Sequence, residues 1–244
     1  MGITNRQHGT CVDEVADGIY RIHTPVSDVP GGFSFNQYLV RDEAPLLFHT
    51  GPRRMADLVI EAIASVLPVA SLRWIGFSHY ESDECGSLDR LLAAAPEAVP
   101  VCSKINTIIN GDTFARPARA LADGELLELG ARRVRWLDTP HLPHGWECGY
   151  LMEEKTRTLL CGDLFTQPGS DGPAVTSGDI LGPSEAFRQR MDYYSHTKNV
   201  RALMARLTAL QPTTLACMHG SAWHGDGAAM LGALAESLDK SAPA

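Results

Sequence analysis

The sequence predicts a mixed α/β (α+β) fold, and three observations predict it. Short β-rich runs bounded by Gly, Pro and charged turns alternate with runs whose apolar residues fall at helical spacing. This alternation passes through the chain twice in similar form, with no internal repeat, low-complexity stretch or linker. Residues able to bind metal stand at the ends of several predicted strands, where α/β proteins tend to build sites.

The elements follow in order. Ile19 to Ile22, Asn36 to Val40 and Leu46 to His49 are expected as antiparallel strands, separated by turns such as Pro30-Gly31-Gly32. Arg53 to Leu67 places Met55, Leu58, Val59, Ala62, Ile63 and Val66 on one helical face, and Pro68 stops it. Leu72 to Ser78 is a buried strand, Ser87 to Ala95 a helix ended by Pro96, and Ala98 to Cys102 a short strand. Leu126 to Leu129 and Arg132 to Leu137 form a hairpin around Gly130, and Tyr150 to Glu153 pairs with Thr158 to Cys161. Between them, Thr139 to Glu147 is too rich in proline for regular structure. Gln167 to Gly182 reads as a long loop bordering the site. Two helices, Ser184 to Tyr194 with Ser184 as cap and Asn199 to Leu210, precede a last strand, Thr214 to Cys217, and a closing helix from about Asp226 to Leu238.

The chemistry centres on Ser78-His79-Tyr80-Glu81-Ser82-Asp83-Glu84-Cys85-Gly86. In an extended segment His79, Glu81 and Asp83 leave the same face, so three metal-competent groups converge. The competing reading of that stretch alone is a solvated polar turn. Further candidates stand at other strand ends or in the proline loop: His141, His144, Asp163 and His219. His8, His23, His49, His196 and His224 are read as surface or core polar structure. Tyr80 and Trp146 are expected to wall the pocket, and Tyr193 and Tyr194 to pack a helix.

Composition bounds the partners. With 244 residues and 44% hydrophobic content, one domain spanning 1–244 is expected. A net charge of -8 offers no basic face, which argues against nucleic acid and anionic membranes. The N-terminal residues lack the apolar core of a secretory signal, and no run approaches the roughly 20 apolar residues of a membrane span. A cytoplasmic location follows as the expectation. Six scattered cysteines contain no Cys-x-x-Cys pair and are expected as reduced thiols, with Cys85, Cys148 and Cys217 beside the motifs but not required as ligands.

With these residues in view, the chain resembles a metallo-β-lactamase-fold protein over nearly its whole length, which implies an αββα sandwich with two metals at the edge between its sheets. The usual hydrolase pattern of that superfamily is His-x-His-x-Asp-His, whereas this chain has His79-x-Glu81-x-Asp83-Glu84. Glutamate at the second position resembles the flavodiiron proteins and the stand-alone oxygen-binding di-iron proteins. That resemblance implies His79, Glu81 and one loop histidine around one iron, Asp83 and His219 around the other, and Asp163 as bridge. His144-x-x-Glu147 is similar to the flavodiiron loop pattern His-x-x-Asp and favours His144 as ligand. His141-Leu142-Pro143 is similar to the His-x-Pro step of the same loop, and His141 is otherwise assigned a catalytic part, orienting a ligand or donating a proton. Glu84 stands where the family's closing histidine usually is, and is read as catalytic or as a carboxylate ligand of the second iron.

A carboxylate in place of an imidazole hardens the site, favouring iron or manganese over zinc, and its negative charge stabilises the ferric state. Two functions are therefore expected. In the first, a pair of iron ions binds dioxygen or nitric oxide and reduces or senses it, with electrons from a separate donor protein because no flavodoxin domain is expected within the chain. In the second, two zinc or manganese ions activate hydroxide against an ester, thioester or lactone. A homodimer is compatible with either.

Overall fold

The computed structural model describes residues 2–241. Its first sheet runs in sequence order through β1 (Ile3–Asn5), β2 (Thr10–Ala16), β3 (Ile19–Val26), β4 (Phe33–Val40), β5 (Leu46–Phe48), β6 (Trp74–Gly76), β7 (Val99–Ser103) and β8 (Arg119–Leu121). Pairing is antiparallel from β1 to β5 and parallel from β5 to β8. The second sheet is built from β9 (Leu126–Glu128), β10 (Arg133–Asp138), β11 (Gly149–Glu153), β12 (Thr158–Leu160), β13 (Val175–Thr176), β14 (Thr214–Ala216) and β15 (Ala222–His224). Its spatial order is β13-β15-β14-β12-β11-β10-β9. The helices are α1 (Ala56–Ala64), α2 (Ser82–Cys85), α3 (Leu88–Ala94), α4 (Lys104–Asn110), α5 (Leu181–Met191), α6 (Val200–Ala209) and α7 (Gly227–Ser241).

The two-residue period of the strands assigns each side chain to a layer. In the first sheet Ile19, Tyr38, Val40, Leu46 and Phe48 face the second sheet, where they meet Trp136, Leu151, Leu160 and Ala216. Their neighbours Tyr20, Leu39 and Leu47 face outward beneath Val59, Ala62 and Ile63 of α1 and Leu88, Leu91 and Leu92 of α3. The second sheet does the same: Tyr150, Met152, Leu159 and Leu215 turn away from the interface and are covered by Leu203, Met204 and Leu207 of α6 and Leu231, Leu234 and Leu238 of α7. The result is the αββα sandwich. β5, β12 and β14, covered on both faces, have every residue buried.

Several expected boundaries shift for local reasons. The strand entering the nonapeptide is only Trp74–Gly76, so residues 78–81 are bends rather than a continuation of that strand. α5 begins at Leu181 with Pro183 in its first turn, where a missing N–H costs nothing, and Ser184 is buried inside the helix rather than capping it. β1, β2, β8, β15 and α4 are additions to the sequence reading, as is β13 within the stretch expected as a loop. α4 is capped by Ser103 Oγ, which accepts from Asn106 N, and its Ile105, Ile108 and Ile109 are exposed, so it carries no inward apolar stripe to detect. No helix among the described residues is long and apolar enough to cross a membrane.

Candidate metal centre

Four strands of the two sheets, β5, β6, β12 and β14, end at one edge of the sandwich, and the chain just beyond them supplies His49, residues 79–84, Asp163 and His219. The proline loop between β10 and β11 brings in His144. The structure thus gathers His79, Glu81, Asp83, Glu84, His144, Asp163 and His219 into overlapping groups of donor atoms: His79/His144/Asp163, His79/Glu81/Glu84 and Asp83/Glu84/His219, each within 4.8 Å.

Convergence of the nonapeptide does not come from an extended strand. His79 and Glu81 lie in the bends after β6, whereas Asp83 and Glu84 lie on the first turn of α2, which starts from the extended backbone of Glu81. The switch from bend to helix divides the donor groups between two halves. In one, His79 Nε2 and His144 Nε2 are 2.8 Å apart, Glu81 Oε1 lies 3.1 Å from His144 Nε2, and Asp163 Oδ2 lies 3.6 Å from both imidazoles. In the other, His219 Nε2 lies 3.4 Å from Asp83 Oδ2 and 3.3 Å from Asp163 Oδ1. Asp163 therefore faces one half with each oxygen.

The far nitrogens explain the ring orientations. His144 Nδ1 donates to Tyr193 O at 2.9 Å and His219 Nδ1 donates to Ser34 O at 2.7 Å. A carbonyl only accepts, so in each neutral ring the Nε2 lone pair points at the cluster, the arrangement of metal-ligating histidines. His79 Nδ1 sits 2.9 Å from Ser78 Oγ, which in turn meets His49 Nε2 at 3.0 Å. His49, buried beneath His79 and lowered to about 3 by that burial, belongs to this support rather than to the ligand set.

The loop carrying His219 is clamped from the opposite sheet. Ser34 Oγ accepts from Gly220 N, Arg21 Nη2 and Asn36 Nδ2 both donate to Gly220 O at 2.8 Å, and Asn36 Nδ2 and Tyr38 OH donate to Cys217 O. Gly220 has φ 86, and a Cβ there would sit 2.6 Å from Gln167 Cβ, so glycine is required. Phe33 and Phe35 pack on the His219 ring at centroid distances of 4.4 and 5.5 Å and keep water from that side.

Charge is concentrated here. Burial opposes the imidazolium form of His219, but Asp163 and Asp83 overcome it and raise the group to about 10. Burial is likewise outweighed at His79, chiefly by Glu84, and the ring is raised well above its usual value. Hydrogen bonding from His144 and then His79 brings Glu81 down to about 2. Glu84 moves the other way, raised well above the carboxylate range by burial and by the charge of Asp163. Burial also pushes the Cys85 thiol up to about 12, so it stays protonated and donates to Glu81 O rather than acting as a thiolate. All six cysteines are free.

The donor set fits a pair of hard metal ions. Both oxygens of Glu84 and Oδ1 of Asp163 are buried without a hydrogen-bond partner, and two Nε2 atoms face each other at 2.8 Å, so a cation satisfies what the protein leaves open. Nitrogen and oxygen donors without thiolate suit iron or manganese.

The structure does not bring His141 to this cluster. Its backbone takes φ 63 and its N–H donates to Gly145 O, so the loop turns the exposed side chain outward beside Tyr194 and His196 while His144 faces inward. Tyr80 lines a cavity of about 420 Å³ with Arg53, Cys85 and Phe114 that reaches the cluster at Glu81, and Trp146 is largely exposed. The sequence reading missed His49, Ser78, Ser34 and the carbonyl of Tyr193. Only Ser78, adjacent to His79, carried a local signal.

A model of the "ODP family beta lactamase" matches residues 33–220, more than half of the chain. An anaerobic nitric oxide reductase flavorubredoxin of Salmonella arizonae is 26% identical over 205 residues, covering 79% of this chain and 42% of that protein. The flavodiiron protein of Giardia intestinalis superimposes with a TM-score of 0.82 at 18% identity, covering 94% of this chain and 59% of that one. The rubredoxin oxygen:oxidoreductase of Desulfovibrio gigas gives 0.78 at 20% identity, with 94% and 61% covered. This chain spans less than half the length of its similar curated relatives.

Proposed function

The chain belongs to the ODP family of β-lactamase-fold proteins, and from that premise we propose that it is a di-iron protein that binds dioxygen or nitric oxide and reduces or senses it. The observation that carries this reading is Glu81, a carboxylate 3.1 Å from His144 Nε2 at the position where the hydrolases of the fold carry imidazole. It makes the exposed half of the cluster harder and more anionic than a zinc hydrolase site. The names of the relatives, a nitric oxide reductase and an oxygen oxidoreductase, support the same class of substrate.

When bound, the two irons would be held by His79, Glu81 and His144 on one side and Asp83 and His219 on the other, with Asp163 between, and would supply electron storage and Lewis acidity. The protein's own groups do the rest. Ser78, Tyr193 and Ser34 fix the imidazoles, Phe33 and Phe35 exclude water from the His219 side, and the half-exposed Glu81 leaves the approach open to a small molecule. Electrons come from a flavin- or rubredoxin-type donor, a reading supported by the names of the relatives.

Metal analysis of protein expressed with added iron tests the proposal: about two irons per chain are expected for this donor set, with a ferric absorption that bleaches on reduction. Two zincs with rapid ester turnover would establish the hydrolase instead. Glu81→His is expected to move metal preference toward zinc, and unchanged iron loading would remove the reason for assigning iron.

A further inference from the structure

We infer that Glu84 is itself a ligand of the metal pair, a second carboxylate spanning both halves alongside Asp163. This rests on reading the site as a two-metal centre, and goes further by assigning a role to the one motif position where the chain departs from both patterns it resembles.

Glu84 is completely buried, and neither of its side-chain oxygens has a hydrogen-bond partner. Its place is held by the backbone, since Thr50 N donates to Glu84 O at 2.7 Å and α2 begins two residues earlier. The carboxylate is aimed into the cluster: Oε2 lies 4.0 Å from His79 Nε2. Glu84 is also the residue shared by the donor group containing His79 and Glu81 and the donor group containing Asp83 and His219. Both oxygens are buried among the donors of the cluster, so no hydrogen bond in the protein repays the burial of this group. A cation between the two donor groups does. Sharing one proton with Asp83 is the competing arrangement, and it would leave Glu84 with no part in metal affinity.

The consequence is a count of charge. Glu81, Asp83, Glu84 and Asp163 bring four negative charges to the pair, so the reduced centre is neutral where a histidine at position 84 would leave it singly positive. More negative charge favours the oxidised metals, and the native chain is expected to have a lower midpoint potential than its Glu84→His variant.

The test compares the native chain with Glu84→Gln and Glu84→His. Folding of each is checked by circular dichroism and thermal unfolding of the metal-free protein, iron affinity by anaerobic ferrous titration, and potential by redox titration. Glu84→Gln is expected to bind iron about tenfold to a hundredfold more weakly. Glu84→His, which restores a ligand and so covers the case where Glu84→Gln fails to fold, is expected to hold both irons at a raised potential. Native affinity in Glu84→Gln, or native potential in Glu84→His, would overturn the assignment. A native chain that takes up no iron pair would instead sink the di-iron reading, whatever the variants do.

Discussion

Glu81 stands at the open side of the cluster with its side chain 50% exposed, while His219 lies on its closed side at 5%. The open half is held by nearby loop contacts, Ser78 to His79 and Tyr193 O to His144. The closed half is held from across the sandwich, where Ser34, Asn36, Tyr38 and Arg21 of the first sheet grip the loop after β14. One fold edge thus makes two unlike groups of donor atoms. The difference teaches that openness to solvent and support from the opposite sheet are divided between the halves, and that the closed half shares its support with the stability of the whole sandwich.

The largest break in that comparison should come from His219→Ala, which removes the only imidazole of the closed half. Its iron is expected to fall by one equivalent while the open half stays loaded, read by metal analysis; equal loss from both halves would show that they are not separate. Next, Asn36→Ala takes donors from Cys217 O and Gly220 O and leaves both carbonyls short of partners. A loss of about 2–4 kcal/mol in the stability of the metal-free protein is expected by denaturant titration. Unchanged stability would mean that the loop does not depend on the opposite sheet. Ser78→Ala should act on the open half alone, weakening iron there by about tenfold and costing about 1–3 kcal/mol of stability because the buried His49 Nε2 loses its partner.

How much of this was legible beforehand follows from the same contrast. The two passes of strand and helix, the hairpin around Gly130 and the ligand candidates at strand ends depend on spacing within a few residues, and such spacing is written locally. The grouping of His79, Glu81 and Asp83 was anticipated for a different reason from the one observed: β6 ends at Gly76, and a bend followed by a helical turn, not a pleated strand, directs their side chains. The clamp on His219 was out of reach because Ser34 and His219 are 185 residues apart and meet only when the sheets stack. His49 was set aside as ordinary polar structure, since its link to His79 runs through a serine hydroxyl that no spacing rule marks. In the proline loop the His144-x-x-Glu147 pattern already favoured His144 over His141 as ligand, and the φ 63 backbone of His141 is what turns its side chain away.

That last point supplies the smallest effect. His141→Ala removes an exposed side chain that belongs to none of the donor groups and is expected to leave iron content unchanged and stability within about 0.5 kcal/mol. Loss of iron in this variant with retention in His144→Ala would reverse their placement.

Mössbauer spectroscopy of the full chain loaded with iron-57 is the most direct test of two unlike positions in one cluster. Oxidised protein is expected to give two ferric doublets of equal area with different quadrupole splittings, one removed by His144→Ala and the other by His219→Ala. A single doublet from one iron per chain, or no bound iron, would contradict a paired iron centre at this edge of the sandwich.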